Sequence, residues 1–432
     1  MEYLFHGAIV ITMCDENPVI ENAYVGVTDG KISYIGTAKP EGFQNARSID
    51  CKHKVMLPGL INAHTHIPMT LLRGYADDFE LSDWLNNHIW PAEEKMDESA
   101  IKAGTMLGIA EMISTGTTSF SDTYFFADAI AEAVSESRIK ANLARSIISF
   151  DEKVDFNVFP AAVEEKSFVE RWHMHDGGRI ITDASIHAEY TSGPGLWESI
   201  VGFAKEKNVL MQVHLSETRA EHEKCVNKYG KTPAALFCGY GVFDIKTTAA
   251  HCVWATDEDF MIFAEKHVTA VHNPVSNLKL ASGVARVPEM IKAGVSVALG
   301  TDGTASNNSH DMFEEIKLAA LLHKGRLFDP TAVNAYEALK LATLNGAAAQ
   351  GRESECGKIA AGFDADLILV NMDAAHLTPC HNAVSNIVYS ARGSDVCFTM
   401  ARGEVLYENG EYKTLDIERV KFDARRAAKG IV

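Results

Sequence analysis

Between residues 58 and 357 one pattern keeps returning: a short apolar run closes on a polar residue, and a longer stretch with apolar residues at helical spacing follows. The runs are "LINAHTH", "TTSFSD", "ANLARS", "ITDASIHA", "VLMQVHLSE", "TTAAHCVW", "VTAVHNP" and "VSVALGTDG". Strands alternating with helices are the signature of repeated β/α units around a parallel sheet. Eight such units make a closed (β/α)8 TIM barrel the expected core of an α/β fold. Stretches such as "ESAIKAGTMLGIAEMISTG" and "GLWESIVGFAKEKN" carry apolar residues at helical spacing and end near Gly or Asn.

The two ends of the chain differ from this centre. "YVGVTDGKISYIG" is a pair of alternating runs joined through Asp29 and Gly30, and "GEVLYENGEY" repeats the device with Asn409 and Gly410. Both are hairpin signals. The predicted organisation is therefore a barrel over 58–357, with residues 1–57 and 358–432 packing together as one small, discontinuous β-sandwich.

Composition narrows the partners. A formal net charge of −18 without a basic cluster argues against nucleic acid and for a small neutral or zwitterionic ligand. The opening "MEYLFHGAIVITMCDENP" has no basic region and breaks its apolar run early, so neither a signal peptide nor a membrane span is expected and a cytoplasmic location is the default. The eight cysteines include no CxxC pair, which fits reduced, buried thiols rather than a thiolate metal site or a disulfide framework. No Gly-rich phosphate cradle follows a strand, so a nucleotide cofactor is not expected.

The chemistry concentrates at the ends of the strands. His64 and His66 share one face of the first, because side chains i and i+2 point the same way. On their own they have an ordinary alternative, histidines satisfied by solvent or backbone. The fifth run, however, delivers His214 and then Glu217, the sixth His251, and the eighth Asp302. Polar groups at the same end of four strands argue for one shared site. Imidazoles and a carboxylate without thiolate suit zinc or a similar first-row ion, and iron or manganese would use the same donors. Such an ion lowers the pKa of a bound water to roughly 7, which makes hydrolysis the expected reaction class.

The motifs "PGLINAHTH", "HLSET", "HNPVSNLKLASG" and "GTDGTASNNSHDMFEE" resemble the amidohydrolase superfamily, closest to its branch of S-adenosylhomocysteine/5′-methylthioadenosine deaminases and chlorohydrolase-like enzymes. The resemblance covers essentially the whole chain. It implies a distorted barrel with a flanking β-sandwich and one divalent metal ion, first of all Zn2+, held by His64, His66, His214 and Asp302. A binuclear centre would need a lysine on the fourth strand, where "DASIHAEYTSG" offers His187 instead. By the same resemblance Glu217 is the general acid/base that protonates a ring nitrogen, His251 stabilises the attacking water and developing oxyanion, and Asp302 also takes the water's proton.

The resemblance further implies substrate contacts from Glu93, as a clamp on ribose hydroxyls, from His187 to purine or ribose, and from Arg145 to the tail. For Glu93, beside Glu94, the alternative is an ordinary acidic pair at a helix start; for Arg145 it is a structural cation at a strand end. Some relatives carry a second tail-binding arginine where "FDEKVDFNVFP" places Asn157, so the rank of S-adenosylhomocysteine among substrates is open. The 276–283 loop is expected over the seventh strand end, with His272 and Asn273 shaping the pocket wall or contacting sugar. Trp84, Trp90 and Phe79 receive no role. The implied activity is hydrolytic deamination of adenosine-type nucleosides (5′-methylthioadenosine, S-adenosylhomocysteine, adenosine or 5′-deoxyadenosine). A free heterocycle such as guanine, a pterin or a triazine is the alternative substrate, and a barrel that has lost catalysis is a third reading. An oligomer is a family-based expectation.

Overall fold

The computed structural model describes residues 2–151 and 153–431, and its fold is mixed α/β. All eight central runs form strands. They are β6 (Leu60–Thr65), β7 (Thr117–Tyr124), β8 (Lys140–Arg145), β9 (Ile180–Thr182) with β10 (Ala184–Ile186), β11 (Met211–Leu215), β12 (Thr247–His251), β13 (Thr269–His272) and β14 (Ser296–Leu299), preceded in the chain by β1 to β5. The fourth run is split at Asp183: β6-β7-β8-β9 make one parallel sheet and β10-β11-β12-β13-β14 another. Asp183 sits buried at that break, where its carboxylate accepts from Asn142 Nδ2 at 3.1 Å and Gln212 Nε2 at 2.9 Å.

Just past β14 the chain returns to β6. Asp302 N–H donates to His64 O at 3.0 Å, Thr301 N–H donates to Asn62 Oδ1 at 3.0 Å, and Asn62 Nδ2 donates to Thr301 Oγ1 at 2.7 Å. This close approach depends on Gly300, because a Cβ there would lie 2.6 Å from Asn273 Oδ1 and 2.9 Å from both Cβ and N of His64. The last strand end is thereby pinned against the first.

Helices cover the parallel strands. The helix Glu98–Ser114 starts where the Asp97 side chain accepts from Ala100 N–H at 2.8 Å, and its buried side includes Ile101, Ile109, Met112 and Ile113. It hands over to β7 through Gly116 at φ 89°, a left-handed turn that glycine adopts without a Cβ penalty. The helix Pro194–Lys207 buries Trp197 completely, against the rings of Phe237 and Tyr240.

Both ends of the chain meet in one nine-stranded sheet. Its strands are β1 (Tyr3–Ile11), β2 (Val19–Thr28), β3 (Lys31–Gly36), β4 (Arg47–Asp50), β5 (Lys54–Pro58), β15 (Leu367–Asn371), β16 (Val396–Ala401), β17 (Glu404–Glu408) and β18 (Glu411–Tyr412). They run β18-β17-β16-β15-β5-β1-β2-β3, with β4 on β1. Hydrogen bonding is continuous through the antiparallel pair β5–β15, so the described strands of the two chain ends form one sheet. The expected hairpins are present, with Asp29 and Gly30 at φ 51° and 78° and Asn409 and Gly410 at φ 50° and 90°, the left-handed pair that matches strand twist. Beneath the parallel strands, fully buried Lys140 pairs with Asp366 at 2.7 Å, and fully buried Arg352 donates to the carbonyls of Ala141 and Gly178. Among the described residues no helix is long and apolar enough to cross a membrane.

Candidate active site

At the carboxyl ends of the parallel strands, six of the predicted side chains converge. His64 lies on β6 and His66 follows it; His214 is on β11, His251 ends β12, and Glu217 and Asp302 lie just beyond β11 and β14. Ser216, His251 and Asp302 leave their strands in left-handed backbone, at φ 48°, 72° and 62°. Non-glycine residues rarely adopt that conformation unless surrounding contacts hold them there.

Hydrogen bonds fix the ring orientations. His66 Nδ1 lies 2.8 Å from Thr123 O, and His214 Nδ1 lies 2.8 Å from His187 O. A carbonyl only accepts, so both rings carry their proton on Nδ1 and turn an Nε2 lone pair inward. Those two Nε2 atoms are 3.1 Å apart. His64 Nε2 is buried without a hydrogen-bond partner, 3.6 Å from Asp302 Oδ1, which is also 3.4 Å from His66 Nε2. Donor atoms of His64, His66 and His214, and again of His64, His251 and Asp302, lie within 4.8 Å of one another. Lone pairs facing one another beside a carboxylate are a cation site in need of a cation, so the residues fit a divalent ion.

The protonation states agree. Burial holds His64 down to about 4, and burial with its neighbouring imidazoles holds His214 well below the usual range. Burial works against ionised Asp302, yet the imidazoles of His64, His66 and His251 around it keep its carboxyl well below the ordinary value. Neutral imidazoles beside an ionised carboxylate are what a metal ion requires.

Glu217 and His251 form a second pair, with Glu217 Oε2 3.7 Å from His251 Nε2. Burial, reinforced by Asp302, raises Glu217; burial opposes His251, but Glu217 and Asp302 raise it above its ordinary value. A carboxyl poised upward beside an imidazole is suited to proton transfer near neutral pH.

These groups open into a cavity of about 370 Å³, lined by His66, His214, Glu217, His251 and Asp302 and by the predicted substrate residues Glu93, Arg145 and His187. Burial pushes Glu93 up to about 7, against the hydroxyl of Tyr124, which donates to its Oε1. Burial first, then the surrounding imidazoles, bring His187 down to about 3, and its ring centre is 4.6 Å from that of His214. Arg145 reaches the cavity but pairs with Glu164. Trp84 and Trp90 line the cavity, whereas Phe79 stacks on His88. His272 and Asn273 are not pocket wall: both are buried, with Asn273 Nδ2 3.4 Å from His251 Nδ1 and the His272 ring 5.3 Å from that of His323.

The amidohydrolase family model matches residues 55–406, and that of the BsNagA composite domain matches 8–44. The chain belongs to the amidohydrolase family. It is 44% identical to a 5-methylthioadenosine/S-adenosylhomocysteine deaminase of Acetivibrio thermocellus, over 100% of both chains. It is 43% identical to a 5′-deoxyadenosine deaminase of Methanosarcina barkeri, over 100% of this chain and 98% of the other. Among solved structures, an adenosine deaminase from Xanthomonas campestris with bound zinc superposes with a TM-score of 0.93 at 33% identity, over 99% of this chain and 98% of that one.

In this amidohydrolase the 276–282 segment, which is helix to Lys279 rather than loop throughout as expected, holds all three candidate proton-handling groups, a role the sequence reading missed. Ser276 Oγ donates to Asp302 Oδ2 at 2.6 Å, Asn277 Oδ1 accepts from His251 Nδ1 at 2.8 Å, and Ser282 Oγ donates to Glu217 Oε1 at 3.2 Å. Ser306 adds a second bond to Asp302 Oδ2 at 2.9 Å. The signal was present in "SNLKLASG", a dense polar cluster, but its targets come from three other strands. Asp122, at the end of "TTSFSD", was also missed: buried, it accepts from Thr65 Oγ1 at 2.8 Å and Ile67 N–H at 2.6 Å, and so sets the turn that carries His66.

Proposed function

We propose that the chain is a metal-dependent deaminase of adenosine-type nucleosides, converting the 6-amino group to oxo and releasing ammonia. The observation that carries this is the inward-facing set of His64, His66, His214 and Asp302 opening, beside Glu217 and His251, into the cavity that Glu93 also lines. Full-length relatives named as deaminases of 5-methylthioadenosine, S-adenosylhomocysteine and 5′-deoxyadenosine support the substrate class. Those four residues would hold one divalent ion, first of all Zn2+, which when bound would supply a hydroxide-strength nucleophile at neutral pH.

Within this reading Asp302 accepts the proton of the water that adds to C6. Glu217 gives a proton to N1, so negative charge does not accumulate on the ring. His251, fixed by Asn277, hydrogen-bonds the oxygen at the reacting carbon and stabilises charge developing there. Collapse breaks the C6–N bond as the departing amine takes the proton held on Asp302 and the C6 hydroxyl returns its proton to Glu217, so water plus nucleoside become ammonia plus the inosine analogue with both carboxyl groups restored. Glu93 and His187 orient the ribose and purine.

The same reading closes the two parallel sheets into one distorted (β/α)8 barrel across the Asp302–His64 contact. It also bends the terminal sheet into a sandwich over Phe5 and Phe398, whose rings meet edge to face at 5.5 Å. Domain limits of 1–57, 58–357 and 358–432 follow, supported by Ile359 N–H donating to Thr12 O at 2.8 Å. A cytoplasmic, oligomeric enzyme completes the proposal.

Glu93→Ala tests the substrate class. Kinetics on 5′-methylthioadenosine and on free adenine and guanine should show kcat/KM for the nucleoside falling about 100-fold, the scale of charge-assisted bonds to two hydroxyls. Free bases turned over by the parent as well as nucleosides would favour the heterocycle alternative.

A further inference from the structure

We propose that Glu164 makes this enzyme select against an anionic or zwitterionic 5′ substituent, by holding Arg145 in an ion pair in the cavity wall. The inference rests on the nucleoside reading and deepens it. Arg145 ends β8, and the wall beside it is built by Ser146, Ile148, Phe159, Ala161 and Glu164.

Arg145 is the sole lysine or arginine among the described residues lining this cavity. A guanidinium grips a carboxylate through two N–H groups on one edge. Its Nε–Nη2 edge is taken, both atoms donating to Glu164 Oε2, at 2.9 and 2.8 Å, and on the other edge Nη1 donates to Ser146 O. The neighbouring Glu165 is engaged by the Arg145 backbone N–H at 3.1 Å, so it does not compete for the guanidinium. Asn157, at the place of the second arginine of some relatives, accepts from Lys166 Nζ at 3.2 Å and does not line the cavity.

The wall therefore offers a neutralised ion pair among apolar side chains. An uncharged thioether tail packs against Ile148, Phe159 and Ala161 with the pair intact. A carboxylate tail must displace Glu164 from Arg145 and be desolvated beside it, with repulsion from the released carboxylate. Glu164 is the exposed partner, its side chain 59% accessible against 18% for Arg145, so it can be replaced without opening the core.

The test measures kcat/KM for parent, Glu164→Gln and Glu164→Gln/Arg145→Gln. The substrates are 5′-methylthioadenosine, S-adenosylhomocysteine and an analogue of the latter that keeps the carboxylate and lacks the amine. Glu164→Gln should raise the ratio of each carboxylate substrate to methylthioadenosine by at least about tenfold, the worth of one charge-assisted hydrogen bond. The double variant should cancel the gain. An unmoved ratio overturns the assignment, and so does a fall confined to S-adenosylhomocysteine, which would make Glu164 a partner of the ammonium. If the parent deaminates none of the three and neither adenosine nor 5′-deoxyadenosine, the nucleoside reading fails and this inference with it; activity on those two alone overturns this inference and leaves the nucleoside reading standing. Turnover of methylthioadenosine with an unmoved ratio contradicts the role of Glu164 alone.

Discussion

Two imidazole lone pairs held 3.1 Å apart repel unless a cation lies between them, and Thr123 O and His187 O prevent either ring from reversing its tautomer to escape. The site is thus built for an ion before one arrives, and in the proposed reaction the remaining residues divide the proton work. Glu217→Gln should lower kcat about 10²- to 10⁴-fold, the usual contribution of a positioned acid, while elemental analysis finds metal content unchanged. Asn277→Ala removes the acceptor that fixes His251, and about a 10- to 100-fold loss of kcat is expected, again with metal retained; loss of metal would instead place Asn277 in the ion's support. At this scale the sequence was legible where a polar residue interrupts an apolar run, as at His214, His251 and Asp302. It was opaque where a residue acts on a partner far along the chain. Asn277 lies 26 residues from His251, and Glu164 lies 19 from Arg145, so neither contact exists before the fold does.

Strand ends are the elements that aim these side chains, and their placement depends on close backbone approach. Gly300 is the tightest case. Gly300→Ala should shift β14 off β6, and a chelator-competition titration should show weaker metal binding than in the parent, with far-UV circular dichroism unchanged. At the opposite end of the strands, Lys140→Ala would leave the Asp366 carboxylate buried without its cation. Denaturant unfolding should report a loss of about 3–5 kcal/mol, and a loss below about 1 kcal/mol would mean that water reaches the pair. Helix and hairpin signals were readable locally, because Asp29-Gly30 and Asn409-Gly410 dictate their own turns. The split of the fourth strand was written in Asp183, a carboxylate inside an apolar run, yet its consequence depends on Asn142 and Gln212 from two neighbouring strands.

For the whole molecule, burial of carboxyl groups links stability to pH. Burial pushes Glu165 and Glu315 up to about 8. A glutamate in the unfolded chain titrates near 4.3, so between that value and about 8 the native state keeps protons that the unfolded state has released, and stability falls as pH rises. Buried histidines such as His64 and His310, both brought down to about 4 by burial, act in the opposite sense only below about 6.5. From pH 6.5 to 8 the metal-loaded protein should therefore lose Tm, and Glu165→Gln should flatten that slope; a rising Tm would contradict the protonated state of Glu165. The architecture was legible to the extent that local pattern encodes strand, helix and order. The terminal halves were expected together, but their merger into one sheet depends on pairing β5 with β15, 309 to 317 residues away, which no local pattern specifies. Residue, strand and molecule meet in the proposed reaction, in which an ion held by His64, His66, His214 and Asp302 would enable Glu217 and its neighbours to deaminate an adenosine nucleoside. Its most direct test follows ammonia released from 5′-methylthioadenosine by the purified chain before chelation, after chelation, and after Zn2+ is restored. The account predicts ammonia equal to the inosine analogue formed, lost with the metal and regained with it. Absence of ammonia from the metal-loaded protein, or full activity after the metal is removed, would contradict it.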